Sequence, residues 1–400
     1  MRTSTLPTLS LSLFLGGCIG ATSLSITTTA PNGAVERIPV TLFKPEGPGP
    51  FPAVIIMHDC SGLGPRSSGA PDRWARELVG EGYVILIPDS FTTRGHADGV
   101  CTNPSPRRTE VNPSRRVRDA YAALAYVRTL PYVDGSRVGV MGGSHGGSTT
   151  LASMAAPEGD KDIFAREKRV GFAAAVALYP GCAARYGGWQ VARQSGSRGP
   201  IMDYSGVYKP IAPLLILIGE SDDWTPAEPC RKLTEAAQRA GYPVLIKVYR
   251  AAHHSFDSDR PVRYVEAQIN INSLTGRGAT TGGDPEAWAA AFARSSRFSL
   301  STSGKSKTNN AKISNRCAHY LAFDARCVCV SNIRNQPANY FRSRTRLERH
   351  SCDRTQFSNN AIMYSLPAAL RVPPRTDYNP SNRNRCATGR LNRVWRVVCW

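Results

Sequence analysis

Past residue 37 the chain switches repeatedly between two hydrophobic periods. Residues 38–44 alternate apolar and polar positions, as a strand with one covered face does. Residues 53–57 (AVIIM) and 83–87 (YVILI) are apolar throughout, the pattern of strands buried on both faces. Between them, residues 72–80 place Trp74, Leu78 and Val79 along one side of a helix. Residues 115–130 predict the clearest helix, with Val117, Ala120, Tyr121, Leu124 and Val127 recurring at spacings of three and four. Residues 138–141 predict a short strand, and residues 172–179 and 214–218 two more buried ones. Residues 226–240 read as helix and 244–249 as strand. Asp284-Pro285-Glu286 opens a last helix, with Asp as cap and Pro at the first position, running to Arg294.

Apolar strands alternating with amphipathic helices predict an α/β fold, a mostly parallel sheet flanked by helices. One domain over residues 25–295 accommodates all these elements.

In an open α/β sheet, ligands bind beyond the carboxyl ends of the strands. Those ends carry His58-Asp59-Cys60-Ser61-Gly62, Pro88-Asp89-Ser90-Phe91, Gly142-Gly143-Ser144-His145-Gly146-Gly147, Gly219-Glu220-Ser221-Asp222-Asp223 and Ala252-His253-His254-Ser255-Phe256. A serine, an acid and a histidine therefore follow one another at three strand ends. A serine on a strand-to-helix turn, then acid, then histidine, is the order of the α/β-hydrolase arrangement. Gly142 and Gly146 leave room for a tight turn, and the following helix aims its first N–H groups at developing negative charge. A serine hydroxyl is a weak nucleophile without a base, which a histidine oriented by a carboxylate supplies. Asp222 and Asp223, and His253 and His254, are alternatives on spacing alone. Asp223 is a candidate cap for the helix after Trp224-Thr225-Pro226, and Asp89 a tie for loop N–H groups.

The segments HDCSGLG, IPDSF, GGSHGG, GESDDWTP and AAHHSF, in this order, resemble the dienelactone hydrolase family over residues 25–294. The resemblance implies an α/β-hydrolase fold and hydrolysis of small carboxylic esters or lactones through an acyl-enzyme, with no metal or organic cofactor. It selects Ser144, Asp222 and His254 as the triad, and the backbone N–H groups of Cys60 and His145 as oxyanion donors. Asp59 matches an acidic position beside the nucleophile. The namesake enzymes use cysteine where this chain has Ser144, which points to general ester chemistry. They also grip a substrate carboxylate with arginines; Arg94 and Arg260 lie near those positions but out of register. Asp59 and Arg94 are the candidate substrate contacts. A peptidase or acyltransferase on the same triad, and a non-catalytic envelope protein that binds through its cleft or its tail, are the other readings.

Charge changes the picture in one region. The chain carries a formal +20, yet residues 296–400 hold 19 Lys+Arg against 4 Asp+Glu, so the first 295 residues are close to neutral. The tail also holds 12 Asn and 6 of the 11 Cys and shows no sustained period. Cys327-x-Cys329 and His350-x-Cys352 lack zinc-site spacing. The tail predicts an unstructured read-through or frameshifted extension, and no nucleic-acid partner is expected from its charge.

The N-terminus, MRTSTLPTLSLSLFLGGCIGATS, reads as a signal peptide over residues 1–21: Arg2, an apolar run too short to span a membrane, then small residues. Leu15-Gly16-Gly17-Cys18 also resembles a lipoprotein processing site, which would place a lipid on Cys18; cleavage a few residues later would discard it. Either way the protein is exported, to the periplasm or beyond. An oxidising compartment favours disulfides. Cys182 and Cys230 follow neighbouring strands, which favours Cys182–Cys230 and leaves Cys60–Cys101.

Overall fold

The computed structural model describes residues 20–102, 110–157, 165–195 and 198–302, together with four short strands further on. The signal-peptide and Cys18 readings, and most of the tail, lie outside the described residues. The chain divides into two units, Met1–Lys307 and Thr308–Trp400.

The first unit is built on an eight-stranded sheet. Its strands are β1 (Ala21–Thr29), β2 (Val35–Phe43), β3 (Phe51–Met57), β4 (Val84–Pro88), β5 (Val133–Gly143), β6 (Ala175–Leu178), β9 (Leu214–Gly219) and β10 (Val244–Tyr249). Their spatial order is β1-β2-β4-β3-β5-β6-β9-β10. The pairs β1–β2 and β2–β4 are antiparallel and the rest parallel. The continuous apolar runs become β3, β4 and β9, whose residues are buried on both faces apart from the first two of β3.

Four long helices return the chain between strands: α1 (Ala70–Gly80), α2 (Pro113–Val127), α3 (His145–Met154) and α5 (Ala227–Arg239); α4 (Ala165–Arg169) is a single short turn. Helix α2 is capped by Asn112, whose side chain accepts from the Arg115 N–H. Helix α6 (Pro285–Thr302) packs on α1 through Trp288 and Phe292, which meet the Trp74 ring edge-on and tilted, respectively. It runs past Arg294, where its sequence pattern faded. The reason is a stripe of small residues: Ala287, Ala291 and Ser295 are buried one turn apart, and Phe298 follows against the core.

Two hairpins without a legible pattern stand off the sheet: β7 (Gln190–Ser195) with β8 (Arg198–Ser205), and β11 (Arg263–Ile269) with β12 (Arg277–Thr281). The second unit contains, among the described residues, the pairs β13 (Tyr320–Phe323) with β14 (Arg326–Cys329) and β15 (Ala387–Leu391) with β16 (Val394–Val398). No helix of the described residues is long and apolar enough to cross a membrane.

Candidate active site

Strand β5 ends at Gly143 and α3 begins at His145, so Ser144 alone makes the turn between them. It sits at φ 54°, ψ −114°, a backbone conformation that L-residues avoid. Two glycines make that turn possible. A Cβ on Gly142 would stand 2.5 Å from the Met57 carbonyl oxygen, and one on Gly146 would overlap the same atom. The crowding arises because β3 and β5 are neighbours, with Met57 paired to Gly142.

The next strands bring up the partners. Beyond β10, His254 is buried with Nε2 2.8 Å from Ser144 Oγ and Nδ1 2.8 Å from Asp222 Oδ2. The serine hydroxyl donates to Nε2, and the Nδ1–H donates to the carboxylate. Asp222, beyond β9, also accepts the N–H groups of Trp224 and Thr225 on Oδ1, at 3.0 and 2.8 Å. One carboxylate thus orients the imidazole and ties its own loop. Asp223, the alternative cap, instead accepts from the N–H and hydroxyl of Thr280 and anchors β12. His253 points elsewhere, to the Ser221 carbonyl. The His254 ring lies between Tyr179 and Trp224, each with its centroid 4.7 Å away.

A cleft of about 230 Å³ opens over Ser144 and His254, walled by Asp59–Ser61, Cys101, Trp224 and β11. Among the described residues no cluster of three or more His, Cys, Asp or Glu is placed to hold a metal ion. The model of the dienelactone hydrolase family matches residues 38–272, more than half of the chain, with Ser144, Asp222 and His254 inside the match. The chain belongs to the dienelactone hydrolase family.

The protein is 24% identical over 235 residues to the "Probable 2-oxo-3-(5-oxofuran-2-ylidene)propanoate lactonase" of Bradyrhizobium sp., covering 57% of this chain and 85% of that protein. It is 29% identical over 117 residues to the uncharacterized protein YcjY of Escherichia coli, covering 29% of this chain and about a third (35%) of that protein. Among solved structures, the apo form of Thermogutta terrifontis esterase 2 is similar at 17% identity and a TM-score of 0.45, with 70% of this chain and 94% of that chain covered.

The remaining candidates fall in different places. Cys60 and His145 flank Ser144, Cys60 on the loop after β3 and His145 as first residue of α3. The His145 imidazole is turned to Arg116, whose Nη1 lies 2.8 Å from Nδ1. Cysteines 60 and 101 are bonded, as are 182 and 230. Asp59 lines the cleft, but its oxygens accept from Ser61 N, Ser61 Oγ and Ser68 Oγ, so it braces the loop walling the cleft. Arg94 is not a substrate contact. Its guanidinium is buried and committed to Asp119, Glu36 and the Ser90 carbonyl, at 2.7 to 3.0 Å. Arg260, read as out of register, does line the cleft, with Arg66 and Arg263.

Sequence reasoning missed the support behind the imidazole. Tyr179, at the end of β6, donates its hydroxyl to Asp257 Oδ1 at 2.7 Å, and Trp74 Nε1 donates to Oδ2 at 2.8 Å. Burial raises the Asp257 carboxyl above its ordinary range and the Tyr179 phenol well above its own. The proximity of Asp257 to His254 in AAHHSFD was the only available signal. His58 was also passed over. It is buried with Nδ1 on the Asp59 carbonyl at 2.8 Å and Nε2 accepting from Ser90 N at 3.2 Å. Burial, with the Arg116 cation nearby, holds its pKa well below 6.5.

Proposed function

We propose that Ser144, His254 and Asp222 act as nucleophile, base and orienting carboxylate in hydrolysing small carboxylic esters and lactones outside the cytoplasm. The observation carrying this reading is the unbroken chain Ser144–His254–Asp222, two contacts of 2.8 Å opening onto one cleft. His254 Nε2 takes the hydroxyl proton as Ser144 Oγ bonds to the substrate carbonyl carbon. The tetrahedral oxyanion is held by the N–H groups of Cys60 and His145, where the positive end of α3 adds its field. His254 returns the proton to the leaving alkoxide, which departs, or stays tethered if the substrate is a lactone. A water, deprotonated by the same imidazole, then cleaves the acyl-enzyme. Asp222 keeps Nδ1 protonated and stabilises the imidazolium at each stage.

The cleft's volume of about 230 Å³ suits small substrates. Arg66, Arg260 and Arg263 on its wall favour esters and lactones with an anionic far end, the chemistry named for the Bradyrhizobium lactonase. Two disulfides suit an oxidising compartment. Short-chain aryl esters and small lactones test the reading. Turnover lost in Ser144→Ala and in His254→Ala is the expected result; turnover surviving Ser144→Ala refutes it. Arg260→Gln raises KM for a carboxylate-bearing lactone more than for its neutral counterpart; equal shifts exclude anion selection.

A further inference from the structure

The Cys60–Cys101 bond forms part of the cleft wall. Both cysteines face the space over Ser144 and His254. Cys60 also carries the N–H assigned above to the oxyanion, so the crosslink is attached one side chain from a reacting-site donor. Its other end is fixed by an independent route. The Cys101 carbonyl accepts from Ile269 N at 2.9 Å, and the Ile269 carbonyl accepts from Trp224 Nε1 at 2.9 Å. Trp224 packs against the His254 ring and gives its backbone N–H to Asp222. Cys60, Phe91, Val100 and Val111 form a small apolar cluster of their own, with Cys101 and Trp224 packed against it. One bond therefore connects the loop after β3, the chain through Val100, and hairpin β11–β12.

We propose that the Cys60–Cys101 disulfide is a positioning crosslink for the reaction: it fixes the Cys60 N–H relative to His254, and cutting it lowers turnover before it unfolds the protein. The inference rests on the hydrolase reading above. The reason is the division of labour between bonds. The loop keeps other ties without the disulfide, since Val100 N donates to the Cys60 carbonyl at 2.7 Å and Asp59 is held by Ser61 and Ser68. The site therefore persists but its donor loses definition, and misplacement by about 1 Å costs on the order of 100-fold in rate. Cys182–Cys230 provides the contrast. Both its cysteines are buried in the main core, at 1% and 0% exposure, and neither lines the cleft. Its role is stability alone.

The test compares two double variants of the full chain, Cys60→Ser/Cys101→Ser and Cys182→Ser/Cys230→Ser, by kcat, KM and melting temperature. The first lowers kcat by about tenfold or more with little change in KM, because an oxyanion donor acts mainly in the transition state. The second lowers the melting temperature and leaves kcat per folded molecule unchanged. A phosphine reductant supplies a second measurement free of folding in the cell: phosphine and water convert the disulfide to two thiols and the phosphine oxide. The cleft bond is opened before the core bond, activity falls as the Cys60 and Cys101 thiols appear, and oxidised glutathione restores it. Full activity in protein mapped as reduced at Cys60–Cys101 overturns the inference, as does an equal kcat loss in both double variants. If instead the native protein has no Ser144-dependent turnover, the hydrolase reading itself fails, which separates the two outcomes.

Discussion

Ser144 combines positive φ with a hydroxyl donated to His254. The strain is held by its neighbours, since Ser144 N donates to the Leu178 carbonyl at 2.9 Å and Ser148 N closes the helix on the Ser144 carbonyl at 2.8 Å. Asp222 is similarly over-determined, with two backbone N–H groups on one oxygen and His254 and Thr225 on the other. Asp222→Asn preserves the shape but can present an N–H to Nδ1, favouring the wrong tautomer. Steady-state assays should give a kcat lower by about 10² to 10⁴ with the fold intact. Ser144 was legible because it directly follows an apolar strand, whereas Asp222 and His254 stand on the loops beyond theirs and only the family resemblance separated them from Asp223 and His253. Arg94 was misread because its partners Glu36 and Asp119 are distant in sequence, and nothing local distinguishes a solvated arginine from a buried one.

At the scale of elements, the β5–α3 turn tolerates the least change. A methyl at Gly146 collides with the Met57 carbonyl, a backbone atom that cannot move without shifting β3. Gly146→Ala should yield little folded protein on expression, or a fold with displaced β3 and no turnover. The β11–β12 hairpin is stitched to the acid loop: Asn270 Nδ2 donates to the carbonyls of Asp223 and Gly278, and Asn272 Nδ2 to that of Trp224. Asn270 is 2% exposed. Asn270→Ala removes the donor to the buried Gly278 carbonyl and should cost about 1–3 kcal/mol by denaturant titration. The hairpin escaped sequence reading because its register is broken between Val265 and Ile269, and several of its residues face solvent. The buried strands, by contrast, announced themselves through unbroken apolar runs.

Across the whole molecule, two buried polar systems tie segments that are distant in sequence. Asp119, fully buried on α2, accepts from Arg94 and from Thr28 of β1, while Glu36 of β2 bridges Arg94 and Arg115. Asp119→Ala leaves a buried guanidinium short of a partner and should destabilise by about 3–5 kcal/mol. Unchanged KM in the surviving folded fraction would mark the arginine as structural. The second system is His58. Its folded pKa lies well below 6.5, so as pH falls through 6.5 the unfolded chain gains a proton that the folded chain refuses. Stability is complete above that pH and declines below it, by up to about 1.4 kcal/mol per pH unit. Melting temperatures between pH 7 and 5 should fall less steeply in His58→Asn than in the native protein.

The most direct test of the central claim is covalent. A fluorophosphonate reacts with a serine whose proton a neighbouring base takes as it attacks and which faces an oxyanion site. Peptide mapping by mass spectrometry of the labelled full chain should find one adduct, on Ser144, absent in Ser144→Ala and formed far more slowly in His254→Ala. An unlabelled Ser144 in folded protein, or an adduct that forms at the native rate without His254, would contradict the assignment.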